Sequence, residues 1–258
     1  MISHPAYGEL RAVTPYAAVL LAENPSGMTL EGTNTWLLRA PGAESCVVVD
    51  PGPADDAHLE RIAANGPVEL IVLTHFHGDH SDGAARLAEL VGAPIRAIDP
   101  KLCVRAEALA DGEVVRAAGL DIKVVATPGH TADSLCLLVQ DAVFTGDSIL
   151  GRGTTVVAHP DGSLAPYLDS LRWLASLPKG TPAFPGHGPE VADVVPVAEQ
   201  YLAHRVQRLE QVRGALDTLG ADATARQVVE LVYAEVDKSL WWAAEMSVHA
   251  QLDYLRAR

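Results

Sequence analysis

Residues 74–83 read THFHGDHSDG, with three histidines and two aspartates in ten positions. His75 and His77 stand two apart directly after an apolar run, so an extended backbone turns both imidazoles the same way, where they can grip one cation. Asp79 and His80 follow at the turn into a helical pattern and reach toward a second ion. Imidazole with carboxylate is a borderline-hard donor set that suits Zn2+, with Mn2+ or Fe2+ as competitors. His130 in TPGHTADS, Asp147 in FTGDSIL and His187 in FPGHGPE stand in the same kind of context. The resulting five histidines and two aspartates are about what two four-coordinate ions need when they share a carboxylate and a hydroxide and keep positions open for substrate.

These residues need rigid elements to hold them. Short β-type runs occur at 33–38, 45–50, 69–74, 121–127, 134–140 and 142–146, and helical patterns lie between them, which predicts a layered α/β fold. VVVDPG, VLTHFHGDH, VVATPGH, VFTGD and AFPGHG share one plan, an apolar strand ending in Asp or His before a glycine turn. Such strand ends are where α/β folds place their sites. DGAARLAELVG predicts a helix with Ala84, Leu87, Leu90 and Val91 on one face, Gly92 as its stop, and Ser81 and Asp82 as its caps. From Asp193 the texture turns almost wholly helical. Leu202, Leu209, Val212, Leu216 and Leu219 form one stripe, Thr224 is an N-cap, and Trp241, Val248, Leu252 and Leu255 face inward. The expected division is a catalytic domain over 1–192 and a small helical domain over 193–258.

Composition narrows the function. The chain has 258 residues, of which 48% are hydrophobic, enough for a sizeable core. Its net charge of −14 disfavours binding a phosphate backbone, which relies on Lys and Arg. Acidic residues also outnumber basic ones over 195–258, and aromatics total only 5%, so stacking platforms are scarce. The apolar run AAVLLA at 17–22 lacks a basic leader and is too short to span a bilayer, so a soluble, cytoplasmic protein without a membrane partner is expected. Cys46, Cys103 and Cys136 sit among apolar residues, as reduced buried thiols do. His4, His58, His159, His204 and His249 fall outside the metal pattern and read as surface or packing residues.

HFHGDH matches the H-x-H-x-D-H signature of the metallo-β-lactamase superfamily, and TPGHT, GD and PGHG follow in that family's order. The resemblance covers most of residues 13–192. It implies an αββα sandwich with the metals at one edge of its two sheets. His75, His77 and His130 would hold a first ion and Asp79, His80 and His187 a second, with Asp147 bridging and Asp50 orienting ligands. Within the superfamily, MTLEGTNTWLL, GDSILGRGTTVV, YLDSLRWL and AHRVQRLEQV resemble the branch typified by β-lactamase-like protein 2, which includes an endoribonuclease and carries a winged-helix-like C-terminal domain. The implied activity is that of a binuclear, zinc-dependent hydrolase whose metal-bridging hydroxide attacks single-stranded RNA. A small thioester or lactone, as in glyoxalase II, is the alternative substrate, and a mono-iron sulfur oxygenase stands behind both. Asp79 and Asp147 are the expected catalytic carboxylates, and Asn34 and Arg152 are expected to line the substrate cleft.

Overall fold

The computed structural model describes residues 6–257, so His4 lies outside the described residues. Apolar runs bounded by Gly, Pro and Asp become strands. The first sheet has the order β1 (Arg11–Thr14), β2 (Ala17–Leu21), β3 (Asn34–Leu38), β4 (Cys46–Val49), β5 (Val68–Val72), β6 (Ile95–Arg96). β1 to β4 are antiparallel, while β4, β5 and β6 run parallel. The second sheet has the order β11 (Ala183–Pro185), β10 (Ala142–Gly146), β9 (Leu135–Val139), β8 (Leu120–Ala126), β7 (Val114–Ala117), again antiparallel except for the parallel pair β10/β11. The run AAVLLA, read only as too short for a membrane, is strand β2 and its next residue. Among the described residues no helix is long and apolar enough to cross a membrane.

The sheets face each other across Trp36, Val49 and Val72 from one side and Ile122, Leu137, Phe144 and Phe184 from the other. Trp36 stacks on Phe184 at 5.0 Å and meets Phe144 edge-on at 5.4 Å. Leu37, Val48 and Ile71 point the opposite way, onto Leu59 and Ile62 of helix α1 (Asp56–Ala64) and Leu87 of helix α3 (Ala84–Val91). A sheet buried on both faces favours continuous apolar runs, which is why residues 36–38 of β3 and all of β4 lack alternation. Each such Leu, Val or Ile contributes about 1.5–3 kcal/mol.

Two helix expectations need correction. In α3 the inward seam is Ala84, Leu87 and Ala88, the i, i+3, i+4 set, whereas Leu90 is 46% exposed, two residues and about 200° past Ala88. Gly92 stops the helix as expected, at φ +76°. Ser81 and Asp82 do not cap it. They close a one-turn helix, α2 (Gly78–Ser81), where the Ser81 hydroxyl donates to the carbonyls of Phe76 and His77. The N-cap of α3 is Gly83, where a Cβ would meet the Pro53 carbonyl oxygen at 2.8 Å.

Residues 6–126, 133–153 and 182–192 make one compact unit, and residues 127–132, 154–181 and 193–257 make another. The expected boundary at 192/193 is thus one crossing between the units, but two earlier excursions also join the C-terminal helices. In this second unit α4 (Leu164–Ala175) packs along α5 (Val194–Leu219), followed by α6 (Ala225–Val232) and α7 (Trp241–Arg256). Val212, Val228, Val229, Trp241, Val248 and Leu252 form its core, with Leu255 packed against it. Thr224 caps α6 through a reciprocal bond with Gln227. Trp242 is 53% exposed, as only one of the two tryptophans can face inward. On α5 Leu209 and Val212 are buried, while Leu219 is 42% exposed. Leucines spaced by seven drift around a straight helix by roughly 20° per repeat, so the stripe leaves the core at its end.

The three cysteines are free, two buried and Cys103 half-buried. His58, expected to be a packing residue, is buried; the Thr35 hydroxyl donates to the Asp50 carbonyl oxygen, so His58 Nε2, 2.9 Å from that hydroxyl, must be the donor between them. Its Nδ1 is buried without a hydrogen-bond partner among the described residues. Burial holds the imidazole neutral, lowering its pKa to about 4. The unfolded chain therefore binds a proton below pH 6.5 that the folded chain refuses. Stability attributable to this residue is complete above pH 6.5 and falls as pH drops toward 4, by up to about 3 kcal/mol. Urea unfolding at pH 7.5 and 5 should show a smaller loss for His58→Gln than for wild type; equal losses would remove His58 as a source of acid sensitivity.

Candidate metal centre

In each sheet the carboxyl ends of a parallel strand pair deliver chemistry. β4 runs into Asp50 and β5 into Thr74 and His75, while β10 runs into Asp147 and β11 into Gly186 and His187. The side chains of Asp79 and His80 come from α2, whose backbone is tied down by the Thr33 hydroxyl donating to the Asp79 carbonyl oxygen at 3.0 Å.

Asp50 organises the cluster. It is 2% exposed at φ +52°, a conformation uncommon for a residue with a Cβ. Its Oδ1 accepts from the Thr74 amide at 2.8 Å, and its Oδ2 accepts from the Thr74 hydroxyl at 2.7 Å and from His80 Nδ1 at 2.9 Å. Because the Thr74 proton points to Asp50, His75 Nδ1, 3.0 Å from that hydroxyl, must donate to it. His187 Nδ1 donates to the Gly32 carbonyl at 3.0 Å. When neutral, all three imidazoles are thereby fixed as Nδ1–H tautomers, with Nε2 as the nitrogen that exchanges a proton for a cation.

Those lone pairs converge. Nε2 of His80 lies 3.1 Å from Nε2 of His187, and Nε2 of His75 lies 3.1 Å from Nδ1 of His77. Asp147 places one oxygen 3.4 Å from His80 Nε2 and the other 3.5 Å from His187 Nε2, and Asp79 Oδ2 is 3.2 Å from His187 Nε2. Facing acceptors at this distance need a proton or a cation between them. Gly186 lets the strand end approach this closely: a Cβ there would sit 2.6 Å from His80 Cε1 and 2.7 Å from Asp147 Oδ1. His75, His80 and Asp147 form one group able to hold a cation, and Asp79, His80 and His187 another, with donor atoms within 4.8 Å of one another in each. The donor set fits a divalent ion.

Burial opposes charge on His80 and His187, yet Asp147, joined by Asp50 at His80 and Asp79 at His187, raises both above the ordinary histidine range. Burial likewise pushes Asp147 and Asp79 upward, and the neighbouring imidazoles outweigh it, so both carboxyls stay below the usual range. Metal binding must displace the imidazole protons.

Of the seven expected ligands, His75, His77, Asp79, His80, Asp147 and His187 come together in the first unit. His130 belongs to the second, on the loop after β8, where it is 4% exposed and its Nδ1 donates to the Val156 carbonyl at 2.6 Å. Asn34 donates to the carbonyls of Pro185 and Gly188, on either side of His187, at 3.0 and 2.8 Å. Arg152 is half-exposed and pairs through both terminal nitrogens with Glu31. Both line a cavity of about 250 Å3 together with Arg11, Leu21, Glu31 and Glu190. Sequence reasoning overlooked Thr74, Gly32, Gly186 and Phe76. The ring of Phe76 is 40% exposed within the metal motif and 4.8 Å from that of His77.

Residues 28–187 match the family model described as metallo-beta-lactamase superfamily, and residues 224–258 match the beta-lactamase associated winged helix domain. A beta-lactamase-like protein 2 homolog of Drosophila melanogaster is 32% identical over 92% of this chain and 86% of its own length. An atrochrysone carboxyl ACP thioesterase of Aspergillus fumigatus is 32% identical over 91% of this chain and 78% of its own. A beta-lactamase domain protein from Burkholderia ambifaria superposes with a TM-score of 0.81 at 24% identity, covering 99% of this chain and 90% of that one, a likeness of fold.

Two substitutions test the centre. Asp50→Asn, which removes the charge that orients His80 and, through Thr74, His75, should weaken zinc binding about 10- to 100-fold in competition with a chromophoric chelator. Gly186→Ala should displace His80 and Asp147 and lower bound metal per chain, measured by elemental analysis; undiminished metal would show that the close approach of Gly186 to these side chains is not needed to hold an ion.

Proposed function

Because the chain belongs to the metallo-β-lactamase superfamily, whose members are metal-dependent hydrolases, we propose that it hydrolyses a thioester or related acyl ester at a binuclear centre. The observation that carries the hydrolytic reading is the pair of imidazole contacts at 3.1 Å flanked by Asp79 and Asp147. The proposed occupants are two zinc ions, which when bound lower the pKa of a water and polarise an acyl oxygen. His75, His77 and His130 would hold one, and Asp79, His80 and His187 the other, with Asp147 shared.

Asp79 has the more open of the two carboxyls, its side chain 30% exposed against 10% for Asp147. Held ionised, it is suited to take the proton of the attacking water and deliver it to the departing thiolate as the carbon–sulfur bond breaks. The charge pattern supports an uncharged acyl group over a polyanion. The chain carries −14, and both arginines of the cavity beside His187 are neutralised, Arg11 by Glu190 and Arg152 by Glu31. The thioesterase relative points the same way. Exposed Phe76 supplies an apolar contact next to His77. The same ring can stack on a base, which keeps single-stranded RNA as the second reading. A mono-iron oxygenase is less well supported, since the Asp79, His80 and His187 group gives a complete second set of donors.

A screen of acyl thioesters, lactones, bis-p-nitrophenyl phosphate and single-stranded RNA, with Asp147→Ala as the blank, should show thioester turnover dominating. Phe76→Ala should raise KM for an apolar thioester about 10-fold with little change in kcat, the worth of a half-buried aromatic contact. RNA cleavage faster than any acyl transfer to water, with binding that tightens at low salt, would overturn the substrate assignment in favour of the nuclease.

A further inference from the structure

Arg205 on α5, within the motif AHRVQRLEQV, is 3% exposed. A guanidinium so placed is costly unless something pairs with it, and no carboxylate does so among the described residues. Its Nε has no hydrogen-bond partner among them either. What it does have is the ring of Tyr167, 5.2 Å from the guanidinium carbon, and one strong acceptor, the carbonyl oxygen of Thr155, to which Nη2 donates. Thr155 and Val156 are the residues that grip His130: Val156 through its carbonyl at 2.6 Å from Nδ1, Thr155 through its hydroxyl at 3.2 Å from the same nitrogen. Backbone bonds from Ala158 to the His130 carbonyl and from Ser163 to the Gly129 carbonyl, each 3.0 Å, tie the two loops together. All of these residues lie within the second unit.

We infer that Arg205 is a positioning residue for metal binding: a buried cation on the C-terminal helices that pins the peptide of Thr155 and, through the 155–156 segment, holds His130 as the Nδ1–H tautomer with Nε2 turned to ligate. The inference rests on the reading of His130 as a ligand. The charge that sets the orientation of His130 is then supplied by α5 of the same unit. A guanidinium suits the task, since its planar fork can donate to a carbonyl and stack on Tyr167 at once.

The test uses the full chain with zinc, reading the two binding affinities by chelator competition and the spectrum after cobalt substitution. Arg205→Met should weaken one ion about 10- to 100-fold and leave the other unchanged, with kcat falling at nearly constant KM. Arg205→Lys, which retains a donor, should recover part of that loss. The double variant Arg205→Met with His130→Ala should bind metal no worse than His130→Ala alone. Equal weakening of both ions, or additive losses in the double variant, would mark Arg205 as merely structural and overturn the inference. If His130→Ala keeps both ions, the ligand assignment itself falls and this inference with it. If His130→Ala loses one while Arg205→Met loses none, this inference alone falls. Should the Met variant fail to fold, Arg205→Lys carries the test: selective loss of one ion supports the inference, and unchanged affinity for both overturns it.

Discussion

A single buried carboxylate, that of Asp50, sets the terms for the centre in the first unit. It sits at the end of β4 in a left-handed backbone conformation and takes three donors, two from Thr74 and one from His80. An ionised carboxylate out of water is tolerated only when its lone pairs are filled and positive charge is near. The Thr74 amide and hydroxyl meet the first condition, and the cationic site beyond His80 meets the second. Because each of these donors is used up on Asp50, the protons of His80 and His75 have one place to go. The ligating faces of both rings are thus decided one layer away from the metal.

The two sheets repeat this economy. Each is antiparallel for most of its width and turns parallel where chemistry is needed, at β4/β5 and at β10/β11. Parallel pairing brings consecutive strand ends to the same edge, so Asp50 meets Thr74, and Asp147 meets His187, without any long excursion of the backbone. The aromatic trio Trp36, Phe144 and Phe184 fills the space directly behind these ends. Trp36 Nε1 also donates to the Pro185 carbonyl at 3.1 Å, tying the core to the strand that presents His187.

The strand ends and the candidate donors on them could be read in the sequence because polar residues with glycine after an apolar run have few other reasons to occur. The motif around His75 and the texture change at Asp193 were legible on the same ground. Gly32 was not, since it acts through a carbonyl that every residue possesses. Gly186 acts through an absent side chain, visible only once His80 and Asp147 are in place around it. Thr74 stands inside the motif, but a hydroxyl between a strand and two histidines has no local pattern that assigns it to Asp50, twenty-four positions earlier. The placement of Leu90 and Leu219 failed for a related reason: helical periodicity gives the direction of a stripe, and the partner surface decides where it stops.

The chain passes between its two compact units at 126/127, 132/133, 153/154, 181/182 and 192/193. Neither unit is therefore a continuous stretch of polypeptide, and no single cut releases one whole. Removing everything after residue 192 would strip α5 and α7 from α4 and from Thr155, Val157 and His159, the segment whose neighbours hold His130. In evolutionary terms the helical tail is not a cassette that recombination can exchange at one joint. Whatever sequence replaces it inherits the contacts that α5 and α7 make with residues 155–159 of the same unit.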